Sequence, residues 1–229
     1  MKLSELFFSI QGEGKLSGVP SVFVRASGCN LRCVWCDTPY ASWNPEGEDV
    51  PVEQIIGRVG EFKAHHVVVT GGEPMIMPDI QQLCIGLKAR GHHITIETAA
   101  TVFKPVLYDL ASLSPKLSNS TPGDRDGGRF ALSHDRLRLN VGVIQKFIDE
   151  APAFQLKFVI STESDLAEIE DLLKQLTNWT PADVLLMPEG IDGEALAARN
   201  LWVADLCKKT GYRFCPRLHI ALYGNSRGT

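Results

Sequence analysis

The sequence predicts an α/β fold, an open, partial TIM-like barrel of about six parallel strands with crossover helices. Apolar, β-branched runs alternate with helix-period segments along the whole chain, the pattern of a parallel sheet. About six such units are present where a closed barrel needs eight. Nearly every glycine-rich or polar motif directly follows a strand, at the end where barrels of this class carry their chemistry. The 229 residues are 44% hydrophobic and 22% charged, enough for one well-buried core, and residues 1–229 read as a single domain.

The elements justify this reading in order. Ser9-Ile10-Gln11-Gly12-Glu13-Gly14 is a turn in which two glycines bring backbone close to another group. Val22-Phe23-Val24-Arg25 is a short strand with a charge in a buried pattern. Residues 39–51 are polar loop, and Val52, Ile55, Ile56, Val59 and Phe62 space a helix. His66 to Thr70 is a strand buried on both faces, ended by Gly71-Gly72-Glu73-Pro74. A helix over 79–90 stops at Gly91. Strands at 94–98 and 110–113 lead into Glu97-Thr98 and Ser114-Pro115-Lys116. Residues 117–133 are polar and read as a lid or a disordered insert. A helix over 136–150, a strand over 155–161 and a Ser164-capped helix over 165–176 follow. The strand at 184–187 runs into Met187-Pro188-Glu189-Gly190, then a helix over 192–209 closed by Gly211, a strand at 212–215 and a polar-ended tail.

Net charge is −4, which gives no basic face for nucleic acid and no polybasic membrane anchor. No apolar run approaches the roughly 20 residues of a membrane span. The N-terminus lacks a signal-peptide pattern, so the expected compartment is the reducing cytoplasm.

Cys29, Cys33 and Cys36 form an isolated triplet, while Cys84, Cys207 and Cys215 are scattered singly and read as small core hydrophobes. A structural zinc site and an ordinary iron–sulfur cubane each want four protein ligands. Three thiolates leave one metal position open for a ligand. A zinc knuckle completed by a distant histidine is the alternative. His65, His66, His92 and His93 flank strands and read as solvated strand entrances.

The spacing Cys-x3-Cys-x2-Cys, with Trp35 before the last cysteine, resembles the radical S-adenosylmethionine superfamily. That resemblance implies a 4Fe-4S cluster on Cys29, Cys33 and Cys36, whose open iron chelates S-adenosyl-L-methionine. Gly72 and Glu73 would contact the amino group of that cofactor. Trp35 and Asp37 would lie beside its adenine. Glu97, the Ser114-Pro115-Lys116 segment and the Met187-Pro188-Glu189-Gly190 segment would hold its ribose, carboxylate and adenine.

Phe8 to Gly14, Gly28 to Thr38 and the tail His219-Ile220-Ala221-Leu222-Tyr223-Gly224-Asn225 together resemble the 7-carboxy-7-deazaguanine synthase family. The implied reaction is a radical ring contraction of 6-carboxy-5,6,7,8-tetrahydropterin with loss of ammonia, on the route to queuosine. The resemblance further implies Mg2+ on Thr38. It implies pterin contacts from Ile10, Gln11, Gly12, Glu13 and Thr70, a carboxylate clamp of Arg25 and His219, and the terminal carboxylate of Thr229 over the substrate. An electron donor such as a flavodoxin and a homodimer are expected partners. Two other classes stay open from the sequence: an activating enzyme acting on a protein partner, and a non-catalytic iron–sulfur or zinc module.

Overall fold

The computed structural model describes residues 1–229. In chain order the elements are β1 (Lys2–Ile10), β2 (Pro20–Ala26), α1 (Pro39–Ser42), β3 (Glu48–Asp49), α2 (Val52–Gly60), β4 (His66–Gly71), α3 (Ile80–Ala89), β5 (His93–Thr98) and β6 (Leu110–Leu113). They continue with α4 (Ala131–Leu137), α5 (Val141–Glu150), β7 (Phe154–Ile160), α6 (Asp165–Leu173), β8 (Val184–Pro188), α7 (Gly193–Thr210), β9 (Arg213–Phe214) and α8 (Leu218–Tyr223). One nine-stranded sheet runs β3-β1-β2-β4-β5-β6-β7-β8-β9. From β2 through β9 every neighbour is parallel, and β1 turns back antiparallel on β2. The open, largely parallel sheet is the expected partial barrel, with a two-residue β9 added to six full strands.

Strand alternation sets what each face carries. Val22, Val24, Val67, Val69, Ile94, Ile96, Leu156 and Phe158 join the main core under the helices. Against them α2 turns Val52, Ile55, Ile56 and Val59, each worth about 1.5–3 kcal/mol when fully buried. The residues between them face the barrel interior, and toward the carboxyl ends these are polar: Arg25, Thr70, Glu97, Ser114 and Lys157 all line one cavity. β4 is thus not equally apolar on its two faces.

Several elements differ from expectation for local reasons. β1 extends through Lys2–Ile10, ahead of the turn that the sequence marks most strongly. The chain between β5 and β6 has no helix; Asp109 anchors it by accepting from the Ile94 N–H at 2.7 Å and from Lys88. The helix over 136–150 splits into α4 and α5, because Arg138 reaches back to the Lys116 carbonyl and Glu168 while Asn140 caps α5 through the Val143 N–H. Ser164 makes no side-chain cap; the Asp165 carboxylate instead accepts from the Ser161 and Thr162 N–H groups. Residues 192–211 fold as expected, with Asp192 accepting from Ala195 and Gly211 closing α7 in the left-handed region.

Residues 117–133 are neither a free lid nor unstructured. They form two short 3-10 turns and the start of α4, and they grip the cysteine loop from outside. The Ser120 carbonyl accepts from Val34 N–H, the Asn119 carbonyl from Trp35 Nε1, and Arg125 donates to the Val34 carbonyl while lying 3.9 Å over the Trp43 ring. Buried His134 completes the grip: Nδ1 accepts from Arg32 N–H at 3.1 Å and Nε2 meets Ser120 Oγ at 2.9 Å. Since Nδ1 is an acceptor here, the ring is neutral and Nε2 carries the proton.

Candidate active site

A cavity of about 440 Å³ opens at the carboxyl ends of the strands. Its walls come from four places: the β1–β2 turn, the cysteine loop after β2, the ends of the parallel strands, and the C-terminal tail. Cys29, Cys33 and Cys36 all line it as free thiols. Burial pushes the Cys29 and Cys33 thiols up to about 12, so their thiolates need a cation beside them. No group of three or more His, Cys, Asp or Glu side chains is arranged to hold a single metal ion. Three soft thiolates around one cavity, with no fourth cysteine on its wall, fit an iron–sulfur cluster with one open iron. Thr38, next to the loop, lines the same space with its Oγ1 3.8 Å from Cys36 Sγ, and Cys36 Sγ is 3.1 Å from Ser42 Oγ.

The cysteine loop is seated on β4 by backbone contact. A Cβ on Gly72 would fall 2.1 Å from the Gly28 carbonyl oxygen and 2.5 Å from that of Ala41. Only glycine admits this approach, so Gly72, besides lining the cavity, locks the loop to the strand end. Glu73 is not on the cavity wall. Its carboxylate is fully buried and accepts from Thr98 Oγ1 at 2.7 Å, Ala99 N–H at 2.8 Å and Met75 N–H at 3.0 Å. The anion expected to meet an ammonium group instead ties the ends of β4 and β5 together.

Trp35, Asp37, Ser114, Lys116 and Met187 line the cavity. Lys116 lies 5.7 Å over the Trp35 ring and donates to Ser114 Oγ. Pro115, Pro188, Glu189 and Gly190 stand off the wall. Pro115 is buried, Pro188 ends β8, Glu189 pairs with Arg199 of α7 at 2.6 Å, and the Gly190 carbonyl accepts from Arg217. Glu97 belongs with the opposite subsite: it accepts from Gln11 Nε2 at 3.0 Å and Thr70 Oγ1 at 2.8 Å.

On that opposite side Ile10, Gln11, Gly12 and Glu13 line the cavity with Arg25, Thr70 and His219. A Cβ on Gly12 would overlap the His219 ring, 2.0 Å from Nδ1, and the Gly12 carbonyl accepts from Leu218 N–H. Arg25 pairs with Glu5 at 2.9 Å beside the Phe7 ring. Glu13, largely enclosed, sits among Lys157, Arg217 and His219. Burial alone would raise its carboxyl, but the neighbouring cations outweigh it and hold the group well below the usual carboxylate range. Burial likewise lowers His219.

The sequence reading missed Lys157, Cys215, Arg217 and Arg227. Lys157 interrupts an apolar strand as Arg25 does, which was a legible signal. Cys215 is more than core filler, since its Sγ accepts from the Gly14 N–H at 3.1 Å. Arg227 lies 3.6 Å over the Tyr40 ring and reaches Glu5 and Glu46, holding the tail against the cavity that Thr229 helps line. At the far end of the barrel the His65, His66 and His93 rings meet edge-on or tilted with centroids 4.7–6.5 Å apart, and His65 is exposed to solvent. No helix is long and apolar enough to cross a membrane.

Residues 23–117 match the Radical SAM superfamily. The chain is 46% identical over 227 residues to a 7-carboxy-7-deazaguanine synthase of Rhodopirellula baltica, covering 99% of this chain and 88% of the relative. It is 44% identical to a Halobacterium salinarum protein of the same name, covering 100% and 93%. The crystal structure of QueE from Escherichia coli superposes with a TM-score of 0.71 at 25% identity, over 95% of this chain and 94% of that one. Streptococcus suis SuiB shares the fold alone, at 16% identity and a TM-score of 0.57 over 84% of this chain and 47% of that one. With a cysteine-walled cavity in a partial barrel and relatives matched end to end, the chain belongs to the 7-carboxy-7-deazaguanine synthase family of the radical S-adenosylmethionine superfamily.

Proposed function

We propose that this chain, acting as one unit of residues 1–229, converts 6-carboxy-5,6,7,8-tetrahydropterin to 7-carboxy-7-deazaguanine with loss of ammonia, a carbon–nitrogen lyase step of queuosine or related 7-deazapurine biosynthesis. The observation that carries the reading is the two-sided cavity. A cysteine triad lines one wall, and a turn of hydrogen-bonding groups with Arg25, His219 and the chain end lines the other.

Cys29, Cys33 and Cys36 would hold the 4Fe-4S cluster, which with bound S-adenosyl-L-methionine supplies the one-electron chemistry that starts hydrogen abstraction from the pterin. Trp35, Asp37, Gly72, Ser114, Lys116 and Met187 would surround the cofactor, with the Lys116 ammonium toward its carboxylate. The protein otherwise binds, orients and keeps out water. Gln11 would donate to or accept from the pterin edge and the ionised Glu13 would accept from it, with Glu97 holding the Gln11 amide and Thr70 holding Glu97. Arg25 and His219 would hold the substrate carboxylate, for which a planar guanidinium is well shaped. Thr38 would give one hydroxyl oxygen to a Mg2+ that also takes the substrate carboxylate and waters. The Thr229 carboxylate would close the site as a pure acceptor. Reduced thiols fit the cytoplasm. Reduction by a donor such as a flavodoxin and assembly as a homodimer belong to the same proposal.

The experiment is anaerobic reconstitution with iron and sulfide, then incubation with the carboxytetrahydropterin, dithionite, Mg2+ and S-adenosyl-L-methionine. Mass analysis should find 7-carboxy-7-deazaguanine. Cofactor cleavage with unaltered pterin would defeat the substrate assignment.

A further inference from the structure

The Arg217 guanidinium is shared by three segments that carry different parts of the site. Nε lies 3.2 Å from Glu13 Oε1 of the pterin turn, one terminal nitrogen donates to Asp37 of the cysteine loop, and the other donates to the Gly190 carbonyl after β8. The residue is buried and lies behind the cavity wall rather than on it. A planar fork with five donors can serve three acceptors at once, which a lysine cannot do in the same geometry. It also separates two carboxylates, Glu13 and Asp37, which repel each other. No backbone ladder links these three segments to one another. The Gly12–Leu218 bond brings Arg217 to the turn, and Glu189 N–H is spent on the Ile160 carbonyl.

We propose that Arg217 is a positioning residue that couples the substrate subsite to the cofactor subsite. This rests on the ring-contraction reading given above. A ligand that orders the Gln11–Glu13 turn fixes one arm of the guanidinium and restricts the other two. The second ligand then meets segments that have less freedom left to lose, which is positive cooperativity without a large movement. By linkage the effect is reciprocal. Its use is timing, since the cofactor's loop reaches its final order only when the pterin is in place.

The test is anaerobic calorimetry on the reconstituted holoenzyme, titrating 6-carboxy-5,6,7,8-tetrahydropterin with and without saturating S-adenosyl-L-methionine. Parent protein should bind pterin about 5-fold or more tightly with the cofactor present, the lower end of typical coupling. In Arg217→Gln that ratio should fall to about one, and Arg217→Lys should restore part of it. Asp37→Asn, which leaves Arg217 and Glu13 in place, should also lose the ratio at a cofactor concentration that direct titration shows to saturate the variant, and serves if Arg217→Gln does not fold. Amide exchange at residues 189–191 should slow on adding pterin in the parent and not in the variants. A ratio kept in both Arg217→Gln and Asp37→Asn, or a parent ratio of one with normal pterin binding, overturns the coupling alone. Failure of the parent to bind pterin overturns the ring-contraction reading, and the coupling falls with it.

Discussion

At the scale of single residues, the cysteine triplet was legible because its spacing is local. Cys33→Ala should lose cluster absorbance and most bound iron, whereas Cys84→Ala and Cys207→Ala should keep both; iron content by colorimetry decides. Lys157 and Arg217 were harder to single out because their meaning depends on Glu13, which lies 144 and 204 residues away in the chain. Their energetics follow from burial. Lys157→Met leaves Glu13 with one fewer cation and should destabilise the protein toward the low end of the roughly 3–5 kcal/mol seen when a buried pair loses one partner, read by urea unfolding. Thr38→Ala removes one oxygen from a cation with strict geometry. It should raise the Mg2+ needed for product without weakening S-adenosyl-L-methionine binding, and an unchanged Mg2+ response would remove Thr38 from the metal. His134 supplies a pH signature. Burial pushes it down to about 4 from an ordinary 6.5. Between those values the unfolded chain binds more protons than the folded one, so stability rises with pH there. The contribution is fully present above about pH 6.5 and is lost as pH falls toward 4. In cluster-free protein, thermal unfolding of His134→Gln should be flatter across that window, because an amide keeps an acceptor and a donor but does not titrate.

At the scale of elements, alternation and punctuation carried most of the reading. The helices α2, α3 and α7 and the strands β2, β4 to β8 fall within a few residues of where apolar period and glycine stops put them. The segment 117–133 was opaque because its order comes from what it touches. Its polar residues spend their hydrogen bonds on the backbone of the cysteine loop, a target no local pattern reveals. Arg125→Ala removes both the bond to the Val34 carbonyl and the cover over Trp43, and Val34 already stands exposed at the loop's tip. The variant should incorporate iron normally but lose cluster absorbance in air several-fold faster than the parent. Equal decay rates would mean that this segment does not shield the loop.

At the scale of the whole molecule, the sheet brings the two ends of the chain together over one cavity. Gly12 abuts His219, Glu13 pairs with Arg217, and Glu5 pairs with Arg227. Deleting Gly228 and Thr229, or adding a C-terminal tag, should weaken pterin binding about tenfold while leaving iron content and cofactor binding intact; unchanged affinity would remove the Thr229 carboxylate from the site. The same closure imposes an order of events during synthesis. Domains take shape from the N-terminus as the ribosome elongates the chain, and the cysteine loop with its seat on β4 is complete by Glu73. The residues that finish the pterin side, from Arg217 onward, are translated long after it. The nascent protein therefore offers its thiols through an uncovered mouth until that segment emerges. A message truncated after β8 would encode a polypeptide with every thiol of the triad and no finished pterin site.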